Sequence, residues 1–109
     1  MYQRKTEETL EVILDYALFL GISASDYTHA KDLLKDCEYA KSLHNVVTDV
    51  YENEVYVDER FLKLVEVSRE QVNVPEGEYS YLEELLDDEI TIPPVLIDRV
   101  KALIRILKA

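Results

Sequence analysis

Val46-Val47-Thr48-Asp49-Val50-Tyr51-Glu52-Asn53-Glu54-Val55-Tyr56-Val57-Asp58 is the stretch on which the fold class turns. Val46, Thr48 and Val50 alternate with Val47, Asp49 and Tyr51, and Val55 and Val57 alternate with Glu54, Tyr56 and Asp58. Folded about Glu52-Asn53, the segment sets Val50 opposite Val55 and Thr48 opposite Val57 on one face. Tyr51, Glu54, Asp49 and Tyr56 fall on the other. A two-residue period rich in β-branched and aromatic residues predicts a half-buried β-hairpin. The rival reading is a helix that uses Val46, Val50 and Val57. Because an isolated hairpin is marginal in water, its valine face must lie on helices.

The flanking sequence supplies those helices. Upstream, Leu10, Ile13, Leu14, Ala17 and Leu20 follow helical spacing from about Glu7 to Leu20, with Thr6 as N-cap and Gly21 as stop. Val12, Tyr16 and Phe19 widen that stripe, so this helix is expected to pack on more than one side. A second helix should follow the Ser23-to-Asp26 capping signal and run to about His44, stopped by Asn45. Its apolar face is Ala30, Leu33, Leu34, Cys37, Ala40 and Leu43. Downstream, Asp58 caps a helix predicted over Glu59 to Gln71, and Val74-Pro75-Glu76-Gly77 forms a turn. A short fourth helix is expected from about Tyr79 to Asp88, and a last one starts at Pro93-Pro94 with Leu96, Val100, Leu103 and Leu107 inward. The predicted fold is α+β, mainly α: a bundle of about five helices with one hairpin packed on it, in a single domain over residues 1–109.

The chain has 109 residues, 48% hydrophobic and 32% charged, with Gly 2, Pro 3 and Cys 1. That is a globular composition, with no low-complexity tract. The longest apolar run, Tyr16 to Leu20, falls far short of the roughly 20 residues of a membrane span. No signal peptide is legible at the start. One cysteine cannot form an internal disulfide, which favours a reducing, cytoplasmic setting.

Charge is the strongest pattern. The net charge is −11, but residues 6–97 hold 22 acids and 6 bases, while residues 98–109 carry four bases against Asp98. Residues 70–90 contain eight acids and no base, and residues 49–59 contain five acids and no base. Such a chain repels nucleic-acid phosphates and anionic lipid, so direct nucleic-acid or membrane binding is disfavoured. It should attract basic protein surfaces instead. On the predicted fourth helix, Glu83 and Asp87, and Glu84 and Asp88, are like charges four residues apart, and both aspartates lie at the unfavourable helix C-terminus. A sequence that breaks two local rules together marks a candidate partner-binding surface: Glu76, Glu78, Tyr79, Tyr81, Glu83, Glu84, Asp87, Asp88 and Glu89. Asp49, Tyr51, Glu52, Glu54 and Tyr56 form a secondary candidate. Relief of the repulsion by Arg99, Lys101 and Arg105 folding alongside is the competing structural reading.

No catalytic, metal or cofactor site is expected. Cys37 and His44 are seven residues apart on a helix, roughly 10.5 Å along its axis, too far to share a metal. His29 and His44 read as ordinary surface or boundary residues, and the 49–54 segment lacks the glycine and closing glutamate of a calcium loop. Glu8-Thr9-Leu10-Glu11 and Glu84-Leu85-Leu86-Asp87 match the two halves of the magnesium motif of helical nucleotide pyrophosphohydrolases of the MazG type. Those halves, however, stand more than seventy residues apart.

In size, acidity and lack of catalytic signature, the chain resembles phage-encoded inhibitors of host defence, including anti-CRISPR proteins and DNA mimics, and the immunity proteins that cap toxic nucleases. The resemblance implies a non-enzymatic inhibitor or regulator docking on a basic, nucleic-acid-handling protein. The alternative expectation is a structural or adaptor module forming a homodimer through the broad apolar face of its last helix.

Overall fold

The computed structural model of the chain describes residues 2–108. The order of elements is α1 (Tyr2–Leu20), α2 (Ala24–Lys35), α3 (Tyr39–Glu52), α4 (Glu59–Gln71), a 3₁₀ turn (Ser80–Leu85) and α5 (Pro94–Lys108). α1 is the centre of the bundle and packs against all four other α-helices. That explains its apolar residues on several sides: Leu10, Ile13, Leu14, Tyr16 and Ala17 are all fully buried. Thr6, expected as its cap, is instead a buried residue inside the helix, which begins more than a turn earlier. α5 runs antiparallel to α1: Arg99 pairs with Asp15, while Leu103 and Ile106 lie beside Glu8 and Glu11.

The expected hairpin is absent, and no strand or sheet occurs among the described residues. Val46 to Glu52 is the second half of α3. The deciding residue is Val47, which the hairpin placed on its outward face. It is fully buried, as are Leu43, Val46 and Val50. Those four positions, spaced three, one and three apart, form one helical stripe. Positions 46 and 50 satisfy both periods, so the alternation was ambiguous where it looked strongest. α3 lies against α1, α2, α4 and the 3₁₀ turn, which gives a broad stripe room to be buried.

The predicted second helix is also two helices, broken at Asp36-Cys37-Glu38. The break is a Schellman motif: Glu38 N–H donates to Leu33 C=O and Cys37 N–H to Leu34 C=O, with Cys37 left-handed at φ 60°. The same hydrogen bonds close α3, where Glu54 has φ 52° and Val55 N–H donates to Val50 C=O. They close α4 as well, with Asn73 at φ 60°. Val55 is therefore buried as the apolar residue that follows a helix end, not as a strand residue. Without glycine at Cys37 or Glu54, local sequence offers no stop signal. Ser42, fully buried, donates from Oγ to Ala30 C=O at 2.9 Å and ties α3 to α2.

α4 spans Glu59–Gln71, as its cap predicts: Asp58 Oδ1 accepts from Phe61 N–H at 3.1 Å. The expected fourth α-helix is instead the six-residue 3₁₀ turn. Its buried residues Leu82 and Leu85, with Tyr79 at its N-cap, are spaced by three, which matches a helix of three residues per turn. Beyond it the chain is extended, and Val57 pairs with it through an isolated parallel bridge. Val57 N–H donates to Leu85 C=O at 3.0 Å, and Asp87 N–H to Val57 C=O at 2.8 Å. In α5, Leu96, Val100 and Leu103 are buried, so most of the stripe expected to self-associate belongs to the core. Val95, Ile104 and Ile106 remain exposed.

Candidate functional site

The two acidic segments, about thirty residues apart in sequence, meet on one face. Tyr51, near the end of α3, donates from its hydroxyl to Glu84 Oε2 of the 3₁₀ turn at 3.2 Å. Its ring stands edge-on to Tyr81, with centroids 4.6 Å apart. Tyr81 in turn stands edge-on to Tyr79 at 6.4 Å, and Tyr79 neighbours His44 at 6.2 Å. The Tyr79 hydroxyl lies 3.5 Å from His44 Nδ1. This row of four rings fixes the 3₁₀ turn against α3. Beside it, Tyr51, Glu52, Glu54, Glu84 and Leu85 line an open depression of about 450 Å³.

The electrostatics of this face follow from where the bases are held. Among the described residues, no ion pair reaches Asp49, Glu52, Glu54 or any acid from Glu76 to Glu89. Arg99 is taken by Asp15, and the nearly buried Arg69 by Glu66, Glu70 and the Val74 carbonyl. The relief expected from α5 is thus not realised, because α5 lies along α1. The Tyr51 phenol is pushed up by its hydrogen bond to Glu84 and by that carboxylate's charge. Burial pushes up Tyr79, aided by Tyr81 and Glu78, and Tyr81, aided by Glu78 and Tyr51. All three hydroxyls therefore remain protonated at neutral pH. Burial also raises the Asp49 carboxyl, reinforced by Asp26 and Glu52 and eased by His29.

The remaining candidates are dispersed. Glu76, Glu78 and Glu83 are exposed, Tyr79 is buried and Tyr81 half-buried. Asp87 is held in place: its backbone joins Val57, and its Oδ1 accepts from Glu89 N–H at 3.0 Å. Asp88 lines a separate depression with Asp58, Glu59, Arg60, Lys63 and Ile90. Tyr56 is 62% exposed and Glu89 is exposed. Because the segment is a 3₁₀ turn that ends at Leu85 rather than an α-helix, Asp87 and Asp88 do not lie at an α-helix C-terminus. The helical i,i+4 repulsion expected of Glu83/Asp87 and Glu84/Asp88 does not arise. His44, read from sequence as an ordinary surface or boundary residue, is exposed, and its place in the ring row is revealed only by tertiary contact.

Among the described residues, no group of three or more His, Cys, Asp or Glu side chains is gathered as a metal site. The two halves of the pyrophosphohydrolase pattern do not meet: Glu8 and Glu11 line a shallow site on α1 with Arg99 and Val12, and Glu8 pairs with Arg4. Cys37, expected on an apolar face, is exposed. No helix among the described residues is long and apolar enough to cross a membrane. In comparison with known proteins, the chain matches no protein family, no curated sequence and no solved structure.

Proposed function

We propose that the Tyr51–Glu84 face docks on a basic protein surface, and that the protein is a non-enzymatic inhibitor or regulator of a nucleic-acid-handling partner in a reducing, cytoplasmic setting. The observation that carries this reading is the convergence of Glu52, Glu54 and Glu84 around ordered tyrosine rings, with no ion-pairing base among the described residues. Carboxylates left unneutralised raise the rate of encounter with a cationic surface and disfavour anionic partners. Tyrosines held rigid by their neighbours offer apolar area and a hydroxyl donor at small entropic cost, the usual role of tyrosine in interfaces. A groove that accepts phosphates presents the complementary cations.

The test is affinity capture from nuclease-treated lysate, with the full chain and with a Glu52→Lys/Glu54→Lys/Glu84→Lys variant as baits. The expected result is a basic protein recovered by the wild type at low salt, released as salt rises, and missing from the variant at equal far-UV helicity. Recovery of the same proteins by both baits would refute the assignment of this face.

A further inference from the structure

A second surface carries its own pattern. Where the start of α1 meets the ends of α4 and α5, Val67, Ile104 and Leu107 line a groove of about 570 Å³, with Lys5, Glu70 and Lys108 around it. It shares no lining residue with the acidic depression. Val67 and Ile104 are 36% and 41% exposed, one on each side of the groove. On α4, Val67 lies between Glu66 and Glu70, whose only ion pairs among the described residues are with Arg69 of their own helix. On α5, Ile104 lies among Lys101, Arg105 and Lys108, none of which has an ion pair among the described residues. One edge is thus acidic about an apolar centre, and the other is basic about an apolar centre.

We propose that the occupant of this groove is a second copy of the chain, related by a two-fold axis that lays α5 of each copy along α4 of the other. A two-fold contact applies each pairing twice, so a patch bearing both signs on adjacent helices is self-complementary. Ile104 of one copy seats beside Val67 of the other, and Lys108 faces Glu70. The global charge singles out the same face. Two copies carrying −11 each repel over most of their surface, but residues 98–109 hold four bases and one acid. A small amphipathic anion fits less well, because Glu70 lines the apolar floor. The face differs from the stripe that sequence periodicity suggested, whose leading residues Leu96, Val100 and Leu103 are buried.

Sedimentation equilibrium of the full chain at roughly 5–200 µM, the range of moderate affinities, tests the proposal. The wild type should approach twice the monomer mass as concentration rises. Ile104→Glu and Lys108→Glu alter exposed side chains, and each should weaken the dimer at least about tenfold, the effect of ~1.4 kcal/mol, with helicity unchanged. Glu70→Lys should do the same. Mixing the Glu70→Lys chain with the Lys108→Glu chain should restore the dimer, because both trans pairs then regain opposite charges. A pairing within one chain cannot be rescued by mixing. A wild type that stays monomeric, a dimer that survives Ile104→Glu, or a mixture that remains monomeric would each overturn the proposal.

Discussion

Tyr16 and Asp58 form a buried pair whose contribution can be isolated by a double-mutant cycle. The Tyr16 hydroxyl donates to Asp58 Oδ2 at 2.5 Å, Tyr16 is 0% exposed and Asp58 5%. Asp58 Oδ1 also caps α4 through Phe61 N–H. Arg60 Nη1, 3.6 Å from Asp58, is its closest cation. Burial, and next the hydrogen bond to Asp58, raise the Tyr16 phenol, so it remains the donor throughout the neutral range. Tyr16→Phe removes a charge-assisted hydrogen bond from a buried carboxylate, a loss of about 1.5–3 kcal/mol. Asp58→Ala removes the cap, about 1 kcal/mol, and orphans a buried hydroxyl, about 1–3 kcal/mol more. In the double variant no hydroxyl is orphaned, so its destabilisation should not exceed that of Asp58→Ala alone. The two effects should therefore fall short of additivity by at least about 1.5 kcal/mol. Urea unfolding followed by far-UV circular dichroism, at constant m, measures each term. Additivity to within about 0.5 kcal/mol would refute the coupling.

The left-handed helix ends make a second prediction: Glu54→Gly and Cys37→Gly should each stabilise by about 0.5–1 kcal/mol by relieving strain at φ 52° and 60°, whereas Asn73→Gly should change little, because Asn tolerates that conformation. Equal urea midpoints for the first two variants and the wild type would contradict it. For pH, Asp15 and Asp49 should behave oppositely. Burial alone would raise Asp15, but hydrogen bonds from Tyr27 and Arg99 and the Arg99 charge outweigh it and hold the carboxyl below its usual range. Its contribution is therefore full above the ordinary value of 3.8 and is lost as pH falls through the depressed one. Asp15→Asn should destabilise at pH 7 and lose its effect in strong acid. Asp49, raised by burial and by Asp26 and Glu52, costs stability once ionised. Asp49→Asn should stabilise at pH 7, and the gain should vanish as pH falls through the raised value. Unfolding midpoints across a pH series check both signs.

Most of the acidic site was legible as composition but not as geometry. The charge counts of 49–59 and 70–90 are properties of the chain alone, and both segments were identified by them. Their convergence was not legible, because Tyr51 and Glu84 are joined across thirty-three positions by α3 and the 3₁₀ turn. The separation of Asp88 from that face, and its place beside Arg60 and Lys63, likewise depend on the path of the chain after Leu85.

By itself, the sequence determined what short-range chemistry controls. The Asp58 cap set the start of α4 at Glu59, Pro93-Pro94 placed the start of α5, and the widened apolar stripe of α1 implied packing on more than one side. Each signal acts within about a turn of chain, where side-chain caps and fixed φ angles operate. Only the tertiary structure decided that 46–52 is helix, that Ser80–Leu85 is a 3₁₀ turn and that the α2–α3 break falls at Cys37. In the first two, the local pattern admits two periods. What selects one is burial against distant elements: Val47 enclosed within α3's packing on four neighbours, and Tyr79, Leu82 and Leu85 buried at intervals of three. At Cys37 the Schellman hydrogen bonds and the packing of both helices hold a left-handed residue that no glycine announces.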